Sequence, residues 1–310
     1  MSFKFLLSDG SVTDGCRRIA IEQLDKAVGE AGNGEIRVAE RILRVRKRCK
    51  KLRGLLRLVG PAFPGYAKEN AALRDAAAGL SGARDADVLV ATFDNLLAAN
   101  DALGSAPAQS NPIREELLRR HHAPDADPEA VLSSFADALQ EIHARAGDWA
   151  LKEEAFDAIS DGLVKTYKSA RKAMASAEKT GSALLCHAWR RHVKYHWHHL
   201  GLLRDTAPDV LTASRSAAQR LAELLGDHHD LAVLVETIAG DMSAFGAKAD
   251  VKPLLAAARD RQNDLARQAF VLGHEIFAET PSALSQRLHE YWRSWRNETR
   301  REETAMESTG

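Results

Sequence analysis

Residues 37–59 read RVAERILRVRKRCKKLRGLLRLV, and two patterns are superimposed in them. Val38, Ile42, Val45, Cys49, Leu52, Leu56 and Val59 recur at alternating spacings of four and three, one apolar stripe along a helix that faces a bundle core. Ten basic residues, Arg37, Arg41, Arg44, Arg46, Lys47, Arg48, Lys50, Lys51, Arg53 and Arg57, share the segment with a single acid, Glu40. Most of them flank the stripe: Arg46, Lys50, Arg53 and Arg57 run along one edge, and Arg37, Arg41, Arg44, Arg48 and Lys51 along the other. Like charges at helical neighbour spacing oppose the helix; at about 7 Å and an effective dielectric of about 20 each pair costs ~2 kcal/mol, and far less in water. An anion that relieves this repulsion is therefore expected. A helix of about 21 residues extends roughly 31 Å, a length suited to a chain of charges more than to one phosphate group. Such binding is dominated by counterion release and weakens steeply with salt. The competing reading is a solvated bundle face whose Arg and Lys stems cover apolar edges, and the near absence of interleaved acids weighs against it.

Outward from this segment, Ala and Leu dominate and β-branched runs are few. Breakers cluster at Gly32 to Gly34, Gly60 to Gly65, Ser105 to Pro112, Pro124 to Pro128, Pro208, and Lys252 to Pro253. The stretches between them have helical length and period, which predicts an all-α chain of roughly a dozen helices, with at most a short extended piece near Phe3 to Leu7.

A second segment echoes the first. Aligning Leu43 to Arg53 with His187 to Trp197 brings Arg46 onto Arg190, Lys47 onto Arg191 and Lys50 onto Lys194, and both helices end near a proline, Pro61 and Pro208. Downstream, Leu80 to Leu89, with Arg84-Asp85, matches Leu225 to Leu234, with His229-Asp230, after a shift of one residue. An internal duplication follows, hence two similar helical bundles with basic helices in equivalent places. We expect one domain over residues 1–310, divided into a first bundle at 12–122 and a second at 128–306, the link being Ser105 to Pro112 or the Pro124 to Pro128 region.

The 43 basic and 43 acidic residues cancel, so net charge gives no general argument for nucleic acid or membrane binding; the distribution, basic at 37–57 and acidic at 125–129, 153–161 and 302–307, makes the molecule bipolar. Three cysteines, Cys16, Cys49 and Cys186, without paired short spacing suggest neither a disulfide framework nor a thiolate zinc site, and fit a reducing compartment. The run MSFKFLLSDG is too short for a signal segment, and no stretch approaches a membrane span; a cytoplasmic protein without membrane partners is expected.

The order of these elements resembles the CHAD domain, the conserved histidine α-helical domain. The resemblance is carried by His187-x-x-Arg190-Arg191-x-x-Lys194 followed by Leu225-Gly226-Asp227-His228-His229-Asp230. Its first-half counterpart is Arg46-Lys47-x-x-Lys50-Lys51-Leu52-Arg53, then Arg84-Asp85-Ala86-Asp87-Val88-Leu89. Thr166-Tyr167-Lys168-Ser169-Ala170-Arg171 resembles the family's basic segment, and Tyr291-Trp292-x-x-Trp295-Arg296 its closing helix, so the likeness runs from about Cys16 to Arg300. It implies two four-helix bundles related by a pseudo-twofold, a basic central cavity or pore that binds inorganic polyphosphate, and association with polyphosphate granules, whose proteins then become partners. Leu43 stands at the first-half histidine position and Trp197 where the first half has Arg53, which bears on chain-length preference more than on ligand class.

Other chemistries fit less well. His192, His196 and His199 fall at i, i+4 and i+7, a spacing that could hold a metal, but no Cys or carboxylate completes the set nearby and neighbouring cations oppose one; we expect these histidines to bond phosphate or pack beside Trp189 and Trp197. Trp189, Trp197, Trp292 and Trp295 read as core. His229-Asp230, with His198 or His199 and Asp260 or Asp264, invites comparison with HD-type metal phosphohydrolases, yet Arg84 occupies the duplicated position and cannot ligate a metal; Asp85 and Asp230 read instead as helix caps or partners of basic side chains. Nucleic acid would satisfy the same cations, but no recognition signature is present. His121 and His122 read as a solvated helix end. The expectation is thus a non-enzymatic polyphosphate-binding module without a cofactor. Its contacts are Arg46, Lys50, Arg53 and Arg57 from one half and His187, Arg190, Lys194 and Lys168 from the other, with Lys47, Lys51, Lys165, Arg171, Arg191 and His198 beside them.

Overall fold

The computed structural model describes residues 3–80, 82–100, 111–121 and 127–307, the backbone alone for 82–87, 121 and 298–307. The side chains of Arg84, Asp85 and His121, the expected link at 105–110, most of the Pro124 to Pro128 region, His122 and the acidic tail side chains lie outside it. Among the described residues the chain is all-helical: α1 Val12–Gly32, α2 Val38–Val59, α3 Tyr66–Ala78, α4 Gly82–Ala98, α5 Pro112–His121, α6 Pro128–Ala146, α7 Asp157–Thr180, α8 Ala183–Leu203, α9 Pro208–Gly240, α10 Lys248–Ile276 and α11 Pro281–Glu307, with 3-10 turns at Arg204–Thr206 and Met242–Phe245. Phe3 to Leu7 forms no strand; the Phe5 amide donates to the Leu202 carbonyl at 3.0 Å and its ring is buried.

Local chemistry sets many of the ends. The Ser11 hydroxyl accepts from the Asp14 amide to cap α1, Asp127 caps α6 ahead of Pro128, Ser182 caps α8, and Gly181 ends α7 in the left-handed conformation at φ 63°. Pro208, read as a breaker, opens α9, where its missing N–H costs nothing. Pro253 does not break the chain: α10 runs through it.

The packing forms two groups. α1 lies against α2 and α6, α2 against α3, and α3 against α6; α7, α8, α9 and α10 pack in sequence, with α10 returning to α7. α6 closes on α1 and α3, while α4 packs on α5 and α9 and α5 meets the Met242–Phe245 turn. A second small core joins Val90, Phe93, Ile113 and Leu117 to Leu234, Ile238, Val251 and Leu254 at the far ends of α9 and α10.

α2 connects the groups through α7 and α8. Ile42, Val45, Cys49, Leu52, Leu56 and Val59 are all buried, and Val38 packs partly buried beside them. Leu55 and Leu58 are buried as well, so the second half of α2 is apolar on two sides. Glycines make this possible: a Cβ at Gly162 would lie 1.8 Å from the Leu58 carbonyl oxygen, and one at Gly54 would lie 2.9 Å from the Cβ of His198. α7 and α8 thus approach the α2 backbone closer than any side chain allows.

Candidate functional site

A cavity of about 830 Å³ opens where α2, α8, α9 and α4 meet. α2 supplies Arg44, Arg46, Lys47, Arg48, Lys50 and Lys51, with Leu43 at the wall. α8 supplies His187, Arg190, Arg191, Lys194, Trp197 and His198. His229, Asp230 and Val233 come from α9, Val88 and Leu89 from α4, and Glu30 from α1. Among the described residues, nine Lys or Arg side chains therefore face two carboxylates. A smaller cavity of about 240 Å³, lined by Phe3, Arg204 and Arg215, shares Lys51, Trp197 and His198 with the first.

Part of the α2 repulsion is relieved inside the protein. Arg48 forks onto Glu30 at 2.6 and 3.1 Å and donates to Gln23, Arg44 reaches Glu40 at 2.5 Å, and the buried Arg41 donates to Glu129 at 2.7 Å and to the Ala31 carbonyl. The expectation that acids are nearly absent holds along the sequence and fails in space, because Glu30 and Glu129 arrive from α1 and α6. On the opposite edge Arg46 donates to the Leu80 carbonyl at 2.6 Å, and Arg53 to the Asn70 side chain at 3.2 Å.

Nine of the fourteen residues anticipated as contacts line the main cavity: Arg46, Lys47, Lys50 and Lys51 on α2, and His187, Arg190, Arg191, Lys194 and His198 on α8. The other five line neither cavity. Arg53 turns toward α3, and the Arg57 guanidinium stacks 4.2 Å from the Tyr195 ring centroid. Lys165 and Lys168 are exposed on α7 and Arg171 is half-buried there, so the third basic patch lies outside the cavity. The reason is that Tyr167, on the same helix, faces inward, its hydroxyl donating to the Ile276 and Glu279 carbonyls at 3.1 and 3.3 Å.

The histidines divide by helix face. His196 is buried against Tyr167 and Phe277, and His199 Nε2 meets the Gly54 carbonyl at 3.1 Å, so neither reaches the cavity. Burial lowers the pKa of His196 to about 4 and of His199 to about 3. His198 does line the cavity; burial first, then Lys51, Lys194 and Arg215, lower its pKa to about 3. Burial with Arg48 and Lys26 also lowers the pKa of Lys51, whose ammonium lies 5.5 Å from the Phe3 ring centroid. Among the described residues no three His, Cys, Asp or Glu side chains gather as a metal site. Asp264, one carboxylate considered for an HD-type centre, is bonded to Arg261, Arg267 and Gln268 on its own helix.

Sequence reading missed several wall residues. His229 and Asp230 carried part of the family resemblance and were weighed as a metal pair, a cap or a partner of basic side chains, and were not counted among the contacts, yet they belong to the cavity; Trp197, taken as core, lines both cavities under the Arg215 guanidinium at 5.3 Å. Arg215 carried no signal, because it stands outside the basic clusters of the sequence. Gly226 has a clear part: a Cβ there would lie 2.8 Å from Arg190 Nη2, so its absence lets that guanidinium lie against α9.

The sequence model of the CHAD domain matches residues 18–239, from α1 almost to the end of α9. The chain belongs to the CHAD domain family. No curated protein sequence matches it. The CHAD match contains every helix that lines the two cavities, whereas α10 and α11, which the resemblance had been expected to reach, lie beyond it.

Proposed function

We propose that this CHAD-domain protein binds linear inorganic polyphosphate, without chemical turnover, in the cavity between α2 and α8. The observation that carries the reading is the convergence of nine Lys and Arg side chains on one cavity whose acids, among the described residues, are Glu30 and Asp230, Glu30 being engaged by Arg48. A concave wall of one sign focuses potential and concentrates counter-ions, and a flexible polyanion can contact several cations at once.

The pairing of the halves supports the same reading. Leu43 and His187, Arg46 and Arg190, Lys47 and Arg191, and Lys50 and Lys194 are aligned positions, and all eight line the cavity; Gly54 and His198, which follow in the same register, meet where α2 and α8 cross. A pseudo-twofold relating two four-helix bundles accounts for this, with the axis near that crossing. Trp197 and Leu43 make the two ends of the surface unequal. A role in placing the protein on polyphosphate granules follows from the binding, with granule proteins as neighbours.

The test is calorimetric titration with long-chain polyphosphate beside triphosphate, duplex DNA and single-stranded RNA at two salt concentrations, with phosphate release assayed with and without divalent metal. Tight, salt-sensitive binding of long polyphosphate without release supports the reading. Metal-dependent release would move the argument to His229 and Asp230, and equal or better binding of nucleic acid would make polyphosphate a mimic.

A further inference from the structure

On the cavity wall the rings of His187 and His229 meet in a tilted contact, their centroids 4.0 Å apart at 42°. His187 comes from α8 and His229 from α9, so the pair spans the seam between the two helices. Nδ1 of His187 is buried and has no hydrogen-bond partner among the described residues. The groups around the pair are mostly cationic: Arg190, Arg191 and Lys194 on α8, and Arg46, Lys47 and Lys50 across the cavity on α2. Among the described side chains, α4 presents Val88 and Leu89. On α9 the neighbours are Asp230, the neutral His228, and Asp227, whose carboxyl is raised by burial and Asp230; Glu30 on α1 belongs to Arg48.

We propose that the His187–His229 pair is a proton-taking phosphate subsite, in which bound polyanion draws a proton onto the pair and so binds more tightly as pH falls. The inference rests on the polyphosphate reading above and adds His229 to the contacts. Without ligand, burial, His229 and the three cations of α8 lower the pKa of His187 to about 4, so the ring is neutral near pH 7. A phosphate chain along the wall reverses the local sign: it neutralises the cations that suppress protonation and offers acceptor oxygens to the ring N–H groups.

The coupling has a definite size and direction. If bound phosphate restores the imidazole to about its ordinary 6.5, linkage makes binding about fourfold tighter at pH 6 than at pH 8, with roughly 0.75 proton taken up per site at pH 6 and almost none at pH 8. Internal phosphates of a long chain keep their charge across this range, so the ligand contributes no opposing titration.

The experiment is titration of the full chain with long-chain polyphosphate at pH 6, 7 and 8, each in two buffers of different ionisation enthalpy, with folding checked by circular dichroism. Tightening with acid and proton uptake at pH 6 are expected, and both should vanish in His187→Gln/His229→Gln, whose remaining affinity, lower or not, no longer changes between pH 6 and 8. Binding of the natural protein that is tight but independent of pH, with no uptake, overturns this inference and leaves the site intact. Uptake that survives in the double variant also overturns it, and absence of binding at every pH overturns the polyphosphate reading on which it stands. Should the double variant fail to fold, the proton count of the natural protein decides alone.

Discussion

Replacing Lys50 and Lys194 together by Gln tests the site most directly, because the two are aligned positions on α2 and α8 that face the same cavity. Each cation that engages a single-stranded polyanion contributes about 0.7 to the salt slope. With Arg44 and Arg48 engaged by Glu40 and Glu30, the basic wall consists of Arg46, Lys47, Lys50, Lys51, Arg190, Arg191 and Lys194. Those residues give a slope of about −5 for the natural protein, and loss of two gives about −3.5. Between 50 and 200 mM salt the natural protein should lose about 1,000-fold in affinity and the variant about 100-fold. Near physiological salt about 1 kcal/mol per cation makes the variant roughly 30-fold weaker.

The assay is fluorescence or calorimetric titration with long-chain polyphosphate at four salt concentrations, with a thermal melt as control. Removing two like charges from a cluster relieves repulsion, so the melting temperature of the free variant should hold or rise. A variant that keeps the full slope, or binds as tightly at low salt, would refute the assignment of the cavity as the binding surface. A variant that loses binding together with its melting transition would be replaced by the milder Lys50→Gln alone.

Lys165→Gln/Lys168→Gln/Arg171→Gln on α7 should leave polyphosphate affinity within about twofold, since none of the three lines the cavity; a loss on the scale of the cavity variant would enlarge the site. Gly162→Ala would place its Cβ 1.8 Å from the Leu58 carbonyl oxygen, and should cost roughly 1–3 kcal/mol or more in urea denaturation. The thiols of Cys16 and Cys49 are buried, that of Cys49 raised to about 12 mainly by desolvation, so a thiol reagent should label them only on unfolding. His196, His198 and His199 have pKa values lowered by burial to about 4, 3 and 3, while the unfolded chain protonates near 6.5; stability is therefore full above that pH and falls below it, by up to about 1.4 kcal/mol per pH unit for each. Urea midpoints that stay constant between pH 7.5 and 5.5 would contradict this.

The fold class and the α2 stripe were legible because periodicity is a local property: a residue every three or four positions must face one side whatever the helix meets. The fate of the charges was not local. Nothing in residues 37–59 says that Arg48 would find Glu30 or that Arg41 would be buried on Glu129, which lie on other helices. For the same reason His192, His196 and His199 looked like one functional face, whereas the crossing at Gly54 rotates α8 so that His199 meets backbone and His198 meets the cavity. The third patch misled because basic density alone does not reveal which side of α7 is buried; Tyr167, reaching carbonyls after α10, decides it.

Packing, not charge, holds the cavity open. Mutual repulsion among the wall cations would by itself splay α2 from α8, and it is opposed by apolar burial: Leu52, Leu55, Leu56 and Leu58 are all 0% exposed, each worth about 1.5–3 kcal/mol on full burial. Close approach then fixes where the basic faces point. The missing side chain at Gly54 lets α8 seat on α2, that at Gly162 lets α7 seat on the same helix, and that at Gly226 lets Arg190 lie along α9. On the proposed reading the cations are ordered before a ligand arrives, so binding would spend little on arranging them and the repulsion among them would become affinity for the anion that neutralises it. The tightest crossing, Gly162 under Leu58, lies away from the basic wall. A change there should therefore weaken binding by displacing α2, and the basic face it carries, from its seat on α7, without removing a single charge.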